Sequence, residues 1–193
     1  MTRTPWLPEA LQALAAIFRL ARFDRHGAGV FTDDLDQCAR SFRACVLAAP
    51  FFMGIQLYQL LMVDKPAPDE FFLALVTDST AFVIQCVLFP LVLIPLLRWC
   101  RREAGWARAV TAYNWCNLAQ LTFLIGVDLV FGGLNIGQPF AQVLTVLADL
   151  FCFVVEGFIF EVILEVGVLR AAILVLVNIV LDQIVTVIAG TIG

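Results

Sequence analysis

Lysine, histidine and serine are nearly missing from this chain of 193 residues: its 12 basic side chains are 11 Arg and Lys65, its one histidine is His26, and its serines are Ser41 and Ser79. Each scarcity excludes something. A hydroxyl or thiol nucleophile needs a base close by, and His26 precedes every apolar run, so Ser79 has no histidine at its depth. Asp149 and Asp182 do not sit in the glycine-bearing sequences of intramembrane aspartyl proteases, and no Gly-rich phosphate loop is present. The six cysteines, Cys38, Cys45, Cys86, Cys100, Cys116 and Cys152, show no CxxC spacing and no accompanying histidine cluster. No enzyme, no metal, no cofactor and no nucleic-acid partner is therefore expected. Charge is scarce too. Only 15% of residues are charged, 62% are hydrophobic and the mean hydropathy is +0.93, against ~45–50% apolar residues in soluble domains. Apolar runs of this extent exceed what one core can hide, so the solvent they imply is lipid.

What is present is a series of apolar runs long enough to cross ~30 Å of hydrocarbon as helices. The pattern predicts five spans, Phe42 to Val63, Phe71 to Leu97, Ala109 to Phe131, Phe140 to Leu164 and Val166 to Ile192. A lipid-facing backbone satisfies its own hydrogen bonds only in a helix or a closed barrel, and the alternation of a barrel is missing, so the expected fold is all-α, a polytopic transmembrane helical bundle. Turn chemistry stands at Asp64 to Pro68 and at Gly132, Gly133, Leu134, Asn135 and Gly137, while the last two spans join almost directly as a hairpin. The third run is the least apolar, with Asn114, Asn117, Gln120 and Gly126, and a broken, re-entrant segment is the alternative there.

Residues 1–41 read as a cytoplasmic amphipathic helix and linker ahead of a membrane domain at 42–193. Leu7, Leu11, Leu14, Phe18 and Ala21 recur at helical spacing, Glu9, Gln12, Arg19 and Arg22 fall largely off that stripe, and Pro5 and Pro8 suit a helix start. This predicts a helix lying along the membrane interface, with packing on a protein domain as the alternative. The interruption at Gln12 and the lack of a small-residue cleavage site argue against a cleaved signal peptide. Six Arg lie at or before the start of the first span, Arg98, Arg101, Arg102 and Arg108 between the second and third, and Arg170 past the fourth; the other side receives only Lys65. The positive-inside rule then puts the N-terminus in the cytoplasm and the C-terminus outside.

The chemistry-bearing residues are those inside the spans, where a carboxylate at mid-bilayer costs ~2.5–3.5 kcal/mol on insertion scales. Asp78, Gln85, Gln120, Asp149, Asn178 and Asp182 are expected to form an intramembrane polar site, with Asp149 and Asp182 at matching depth. Glu156, Glu161 and Arg170 are the expected ion-pair group at the final hairpin, with Glu165 also within reach, Arg170 either pairing with one of these acids or snorkelling to the headgroups. Two readings of the belt stay open: a relay or site for protons or cations, or hydrogen-bonded acids that hold helices in register or dock a partner span. The partners expected are the bilayer and other membrane subunits or further copies of the chain.

The Arg-bearing loop ahead of TAYNWCNLAQ (111–120), the closing hairpin EVILEVGVLRAAILVLVNIVL (161–181) and the five-span layout together resemble the Yip-domain membrane proteins, over roughly Arg98 to Gly193. The segment FDRHGAGVF (23–31) with Arg40, Ser41 and Phe42 is similar to the opening of small bacterial membrane proteins of that group. The resemblance implies the five-span topology, a bacterial inner membrane and a non-enzymatic organising, adaptor or complex-subunit role. Eukaryotic members act in trafficking and bind small GTPases through an acidic cytoplasmic motif; that motif is not evident here, so no functional residue is carried over.

Overall fold

The computed structural model describes residues 6–64, 67–133 and 138–192, and among these the chain is helical with no strand. Helix α1 (Trp6–Ala21) leads through a 3₁₀ turn (Arg25–Val30) to α2 (Leu35–Ser41) and α3 (Arg43–Tyr58), which continues as a π turn (Gln59–Asp64). Helix α4 (Pro68–Cys100), a 3₁₀ turn (Glu103–Gly105), α5 (Trp106–Gly133), α6 (Gln138–Leu164) and α7 (Val168–Ile192) complete the bundle. Lys65, Pro66, Leu134, Asn135 and Gly137, where turns are expected, and Pro5 lie outside the described residues.

Among the described residues, four stretches are long and apolar enough to cross a membrane: Leu35–Leu61, Glu70–Cys100, Gln142–Leu164 and Val168–Thr191. The first begins at Leu35 rather than Phe42. Asp34 starts α2 by accepting from the backbone N–H of Asp36 and Gln37, so polar residues open a helix whose apolar part begins later. Helix α5 is not among the four, because its amides dilute its apolar character, yet it is one continuous helix and not a broken segment. Its polarity is tolerated because protein surrounds it: it packs against α1, α2, α3, α4 and α6, and from Ala107 to Cys116 every residue but half-buried Arg108 is buried. Phe89, Tyr113 and Phe160 cluster where α4, α5 and α6 meet, with ring centroids 4.5 to 6.4 Å apart.

Helix α1 has two apolar faces. Ala10, Ala13, Ala16, Ile17 and Leu20 are buried in the core, α1 packing on α5 and α6, while Trp6, Leu7, Leu11 and Phe18 remain exposed. Of the stripe evident in the sequence, Leu7, Leu11 and Phe18 are exposed while Leu14 and Ala21 are partly buried against the core, and the buried face is made by three alanines with Ile17 and Leu20. The turn after α1 folds back so tightly that a Cβ on Gly27 would stand 2.6 Å from the Ala16 carbonyl oxygen and 2.9 Å from Leu20 Cγ; only glycine fits there.

Ion pairs gather at one end. Glu9 accepts from Arg40 Nε with both oxygens at 2.9 Å, Arg25 reaches Glu161 at 2.9 Å, and Arg102 reaches Glu165 at 3.3 Å while its Nη2 donates to the Glu165 carbonyl at 3.0 Å. Arg108 Nε stands 3.5 Å from Asp33 Oδ1, too far for a well-made hydrogen bond. These contacts tie the N-terminal segment and the α4–α5 loop to the three-residue turn between α6 and α7, where Glu165 takes a left-handed conformation (φ 50°) and the Gly167 carbonyl accepts from Arg170 and Ala171. The expected pairing of Arg170 with Glu156 or Glu161 is not formed. Glu161 is taken by Arg25, Glu156 points into the bundle, and Arg170 is exposed with no carboxylate partner among the described residues. Arg170 is the first turn of α7 and looks outward, the snorkelling geometry.

Candidate functional site

All five long helices contribute to one cavity of about 310 Å³. It forms where α5 turns its polar face inward: Tyr113, Asn114, Asn117 and Gln120 follow each other at spacings of one, three and three residues and so share one side of the helix. Opposite stand Glu156 of α6 and Asn178, Asp182 and Gln183 of α7; Gln85 and Cys86 come from α4, and Cys45 from α3. Phe52, Phe82 and Phe153 supply ring surface, the first two stacked at 4.7 Å.

A hydrogen-bond chain crosses three helices at this level. The Tyr113 hydroxyl donates to Asn178 Oδ1 at 2.9 Å, and Asn178 Nδ2 donates to Glu156 Oε1 at 2.9 Å. Glu156 is 2% exposed, a carboxyl within the protein whose one described hydrogen bond comes from an amide. Gln120 Nε2 donates to the Cys152 carbonyl at 2.9 Å, tying α5 to α6. Asn114 Nδ2 donates to Ser41 Oγ at 2.9 Å, and Ser41 passes the bond to the Cys38 carbonyl at 2.7 Å. The other end of that amide is bare: Asn114 Oδ1 is buried with no partner, in a residue that lines the cavity. Asp182 and Gln183 are exposed at its rim.

No Arg, Lys or His is among the lining residues, so the wall offers two carboxyls, amides, a phenol and aromatic faces but no cation. A buried carboxyl in such surroundings is neutralised by a proton, by a bound cation or by donors, since an unpaired buried charge is prohibitively costly. The arrangement can therefore hold a proton or a cation. Among the described residues no three His, Cys, Asp or Glu come together to hold a metal ion.

Of the expected site residues, Gln85, Gln120, Asn178 and Asp182 line the cavity, whereas Asp78 and Asp149 do not. Asp149 lies ~10 Å along α6 from Glu156 at 1.5 Å per residue. Depth matched it to Asp182, but depth along a helix does not fix lateral position, and the acid that meets Asn178 is Glu156. Tyr113, Asn114, Asn117 and Glu156 are the residues that sequence reasoning left out of the site; the signal for two of them, Asn114 and Asn117, was the amide spacing on α5. No protein family, curated protein or solved structure matches the chain.

Proposed function

We propose that the protein is a five-span membrane protein that takes protons or small cations into a polar cavity within the bilayer. The single observation that carries this reading is the 310 Å³ cavity lined by Glu156, Asp182 and amides without a basic side chain. Helix α5 joins the four apolar stretches as the fifth span. Its 28 residues exceed the ~20 needed to cross, and its amides face protein rather than lipid. Glu156 then sits ~12 Å from the end of α6 at Leu164, and Asn178 ~15 Å from the start of α7, near the middle of a bilayer. The Yip-domain resemblance implies the same topology.

Residues 1–41 form the cytoplasmic layer in this reading, with α1 at the interface: Leu7, Leu11 and Phe18 face the acyl boundary, Arg19 and Arg22 the headgroups, and the alanine face the bundle. The basic end is cytoplasmic by the positive-inside rule, which leaves the C-terminus outside, in a bacterial inner membrane. The test is proton and cation flux in proteoliposomes, comparing native protein with a Glu156→Gln plus Asp182→Asn variant matched for elution in size-exclusion chromatography. Flux in the native protein that vanishes in the variant supports the proposal. No native flux under either gradient, or flux that the variant retains, contradicts it.

A second reading, a non-enzymatic organising, adaptor or complex-subunit role, is supported by the Tyr113–Asn178–Glu156 chain, which joins a buried carboxyl to an amide as an architectural belt would. Co-purification of a stoichiometric partner in mild detergent, together with absence of flux, favours it.

A further inference from the structure

We propose that the cavity is a binding site for an organic ammonium cation, a small amine bearing an apolar group. The inference rests on the reading of the cavity as a cation site and names the class of cation. Three independent features of the wall point the same way.

The first is size. At ~30 Å³ per water, 310 Å³ has room for about ten waters, far more than a bare monatomic cation fills, and it lies at the lower end of the ~300–1,000 Å³ of small-molecule sites. The second is the mixed surface. Glu156 and Asp182 supply acceptors of negative charge, while Phe52, Phe82 and Phe153 supply ring faces in the same wall, and an apolar ammonium uses both, through ion pairing and through ring stacking or cation–π contact. A metal ion has no use for the rings and finds no three-ligand cluster among the described residues. The third is the orphaned acceptor. Asn114 is one of the lining residues, 2% exposed, and its Oδ1 has no donor, an uncommon and costly state in a folded interior that a donor reaching it from the cavity relieves. Glu156 keeps lone pairs beyond the one that Asn178 engages, so an ammonium can donate to Glu156 without breaking the existing chain.

Native cysteines report on occupancy. Cys45 and Cys86 line the cavity and are half-buried, so the neutral reagent N-ethylmaleimide labels them when the cavity is empty, and residue-resolved mass spectrometry of proteoliposomes reads the extent. The probes are phenethylammonium, its neutral isostere 2-phenylethanol, and sodium at equal ionic strength. The proposal expects phenethylammonium to protect both thiols at a concentration at least about tenfold lower than the alcohol, with sodium giving no protection. Glu156→Gln abolishes the advantage of the amine over the alcohol, and Asp182→Asn, at the exposed rim and tolerant of substitution, reduces it if the first variant does not fold. Equal protection by alcohol and amine, or no protection by the amine, overturns the proposal. Acid-dependent proton flux with no amine protection sinks this inference and leaves the proposed function standing; amine protection without any flux does the reverse.

Discussion

Replacing Asn178 by Leu removes the middle of the chain that joins α5, α6 and α7. The amide accepts from Tyr113 and donates to Glu156, each at 2.9 Å, and its two partners are 5% and 2% exposed, so losing the amide leaves each short of a partner in a largely buried place. A buried polar group stripped of its partner costs about 1–3 kcal/mol, whereas interhelical hydrogen bonds in membranes average about 0.6 kcal/mol when both members are removed together. With Asn117 still beside Tyr113, the two groups together lose about 2–4 kcal/mol, less than twice the full penalty. Tyr113→Phe deletes one donor and leaves the Asn178 oxygen facing the cavity, which limits its cost to about 0.5–1.5 kcal/mol. At ~2–4 °C per kcal/mol for a chain of this size, Asn178→Leu lowers the midpoint of thermal unfolding in detergent by roughly 4–16 °C and Tyr113→Phe by a third of that or less. The combined variant should lose less than the sum, because the two side chains share a bond. If Asn178→Leu costs no more than Tyr113→Phe, or if the two effects simply add, the three-helix chain is not a coupled unit and the reasoning fails.

Further outcomes follow from the basic end. Gly27→Ala pushes a methyl group against the Ala16 carbonyl and Leu20, prising the turn from α1 at about 1–3 kcal/mol, read as a lower unfolding midpoint and faster proteolysis of the N-terminal segment. Arg40→Gln breaks the pair that fastens α2 to α1; with Arg40 35% and Glu9 18% exposed it costs about 0.5–1 kcal/mol, and the difference from native should shrink in high salt. Asp24 is exposed, but the His26 ring at 2.7 Å, the His26 backbone N–H and Arg19 at 2.8 Å hold its carboxyl down from 3.8 to about 2. A depressed carboxyl contributes stability above its ordinary value and loses it as pH falls, so the turn should loosen between about pH 4 and 2, and Asp24→Asn should remove that step from the pH profile of proteolysis.

Much of the bundle is legible in apolar run length alone, since a span leaves a long record: the last run, Val166 to Ile192, differs from α7 only at its start. Length says less where a helix is polar for a reason. Asp36, Gln37 and Arg40 hide the first turns of the Leu35–Leu61 stretch from a hydropathy reading, although Asp34 is an ordinary N-cap signal. In α1 the large side chains dominate the pattern, yet Ala10, Ala13 and Ala16 carry much of the packing face beside Ile17 and Leu20, because alanine lets helices approach and adds little to a hydrophobic stripe. The site was half legible. Asn178 and Asp182, four apart, both line the cavity as helical spacing requires, and so do Gln85 and Gln120. Choosing Glu156 over Asp149, two turns apart on one helix, depends on how neighbouring helices sit laterally, which no single segment encodes. The amides of α5 read equally as a break in a span or as an inward face until the surrounding helices are in place.

An acid-lined cavity inside the bundle that admits cations distinguishes thiol reagents by their charge. Cys45 and Cys86 stand in its wall, while Cys38, Cys100, Cys116 and Cys152 are buried outside it. Native protein in proteoliposomes should be modified at Cys45 and Cys86 by the cationic reagent 2-aminoethyl methanethiosulfonate faster than by its anionic 2-sulfonatoethyl counterpart, with the preference lost in the Glu156→Gln plus Asp182→Asn variant. Equal modification by both reagents, or none by the cationic one, would contradict the account.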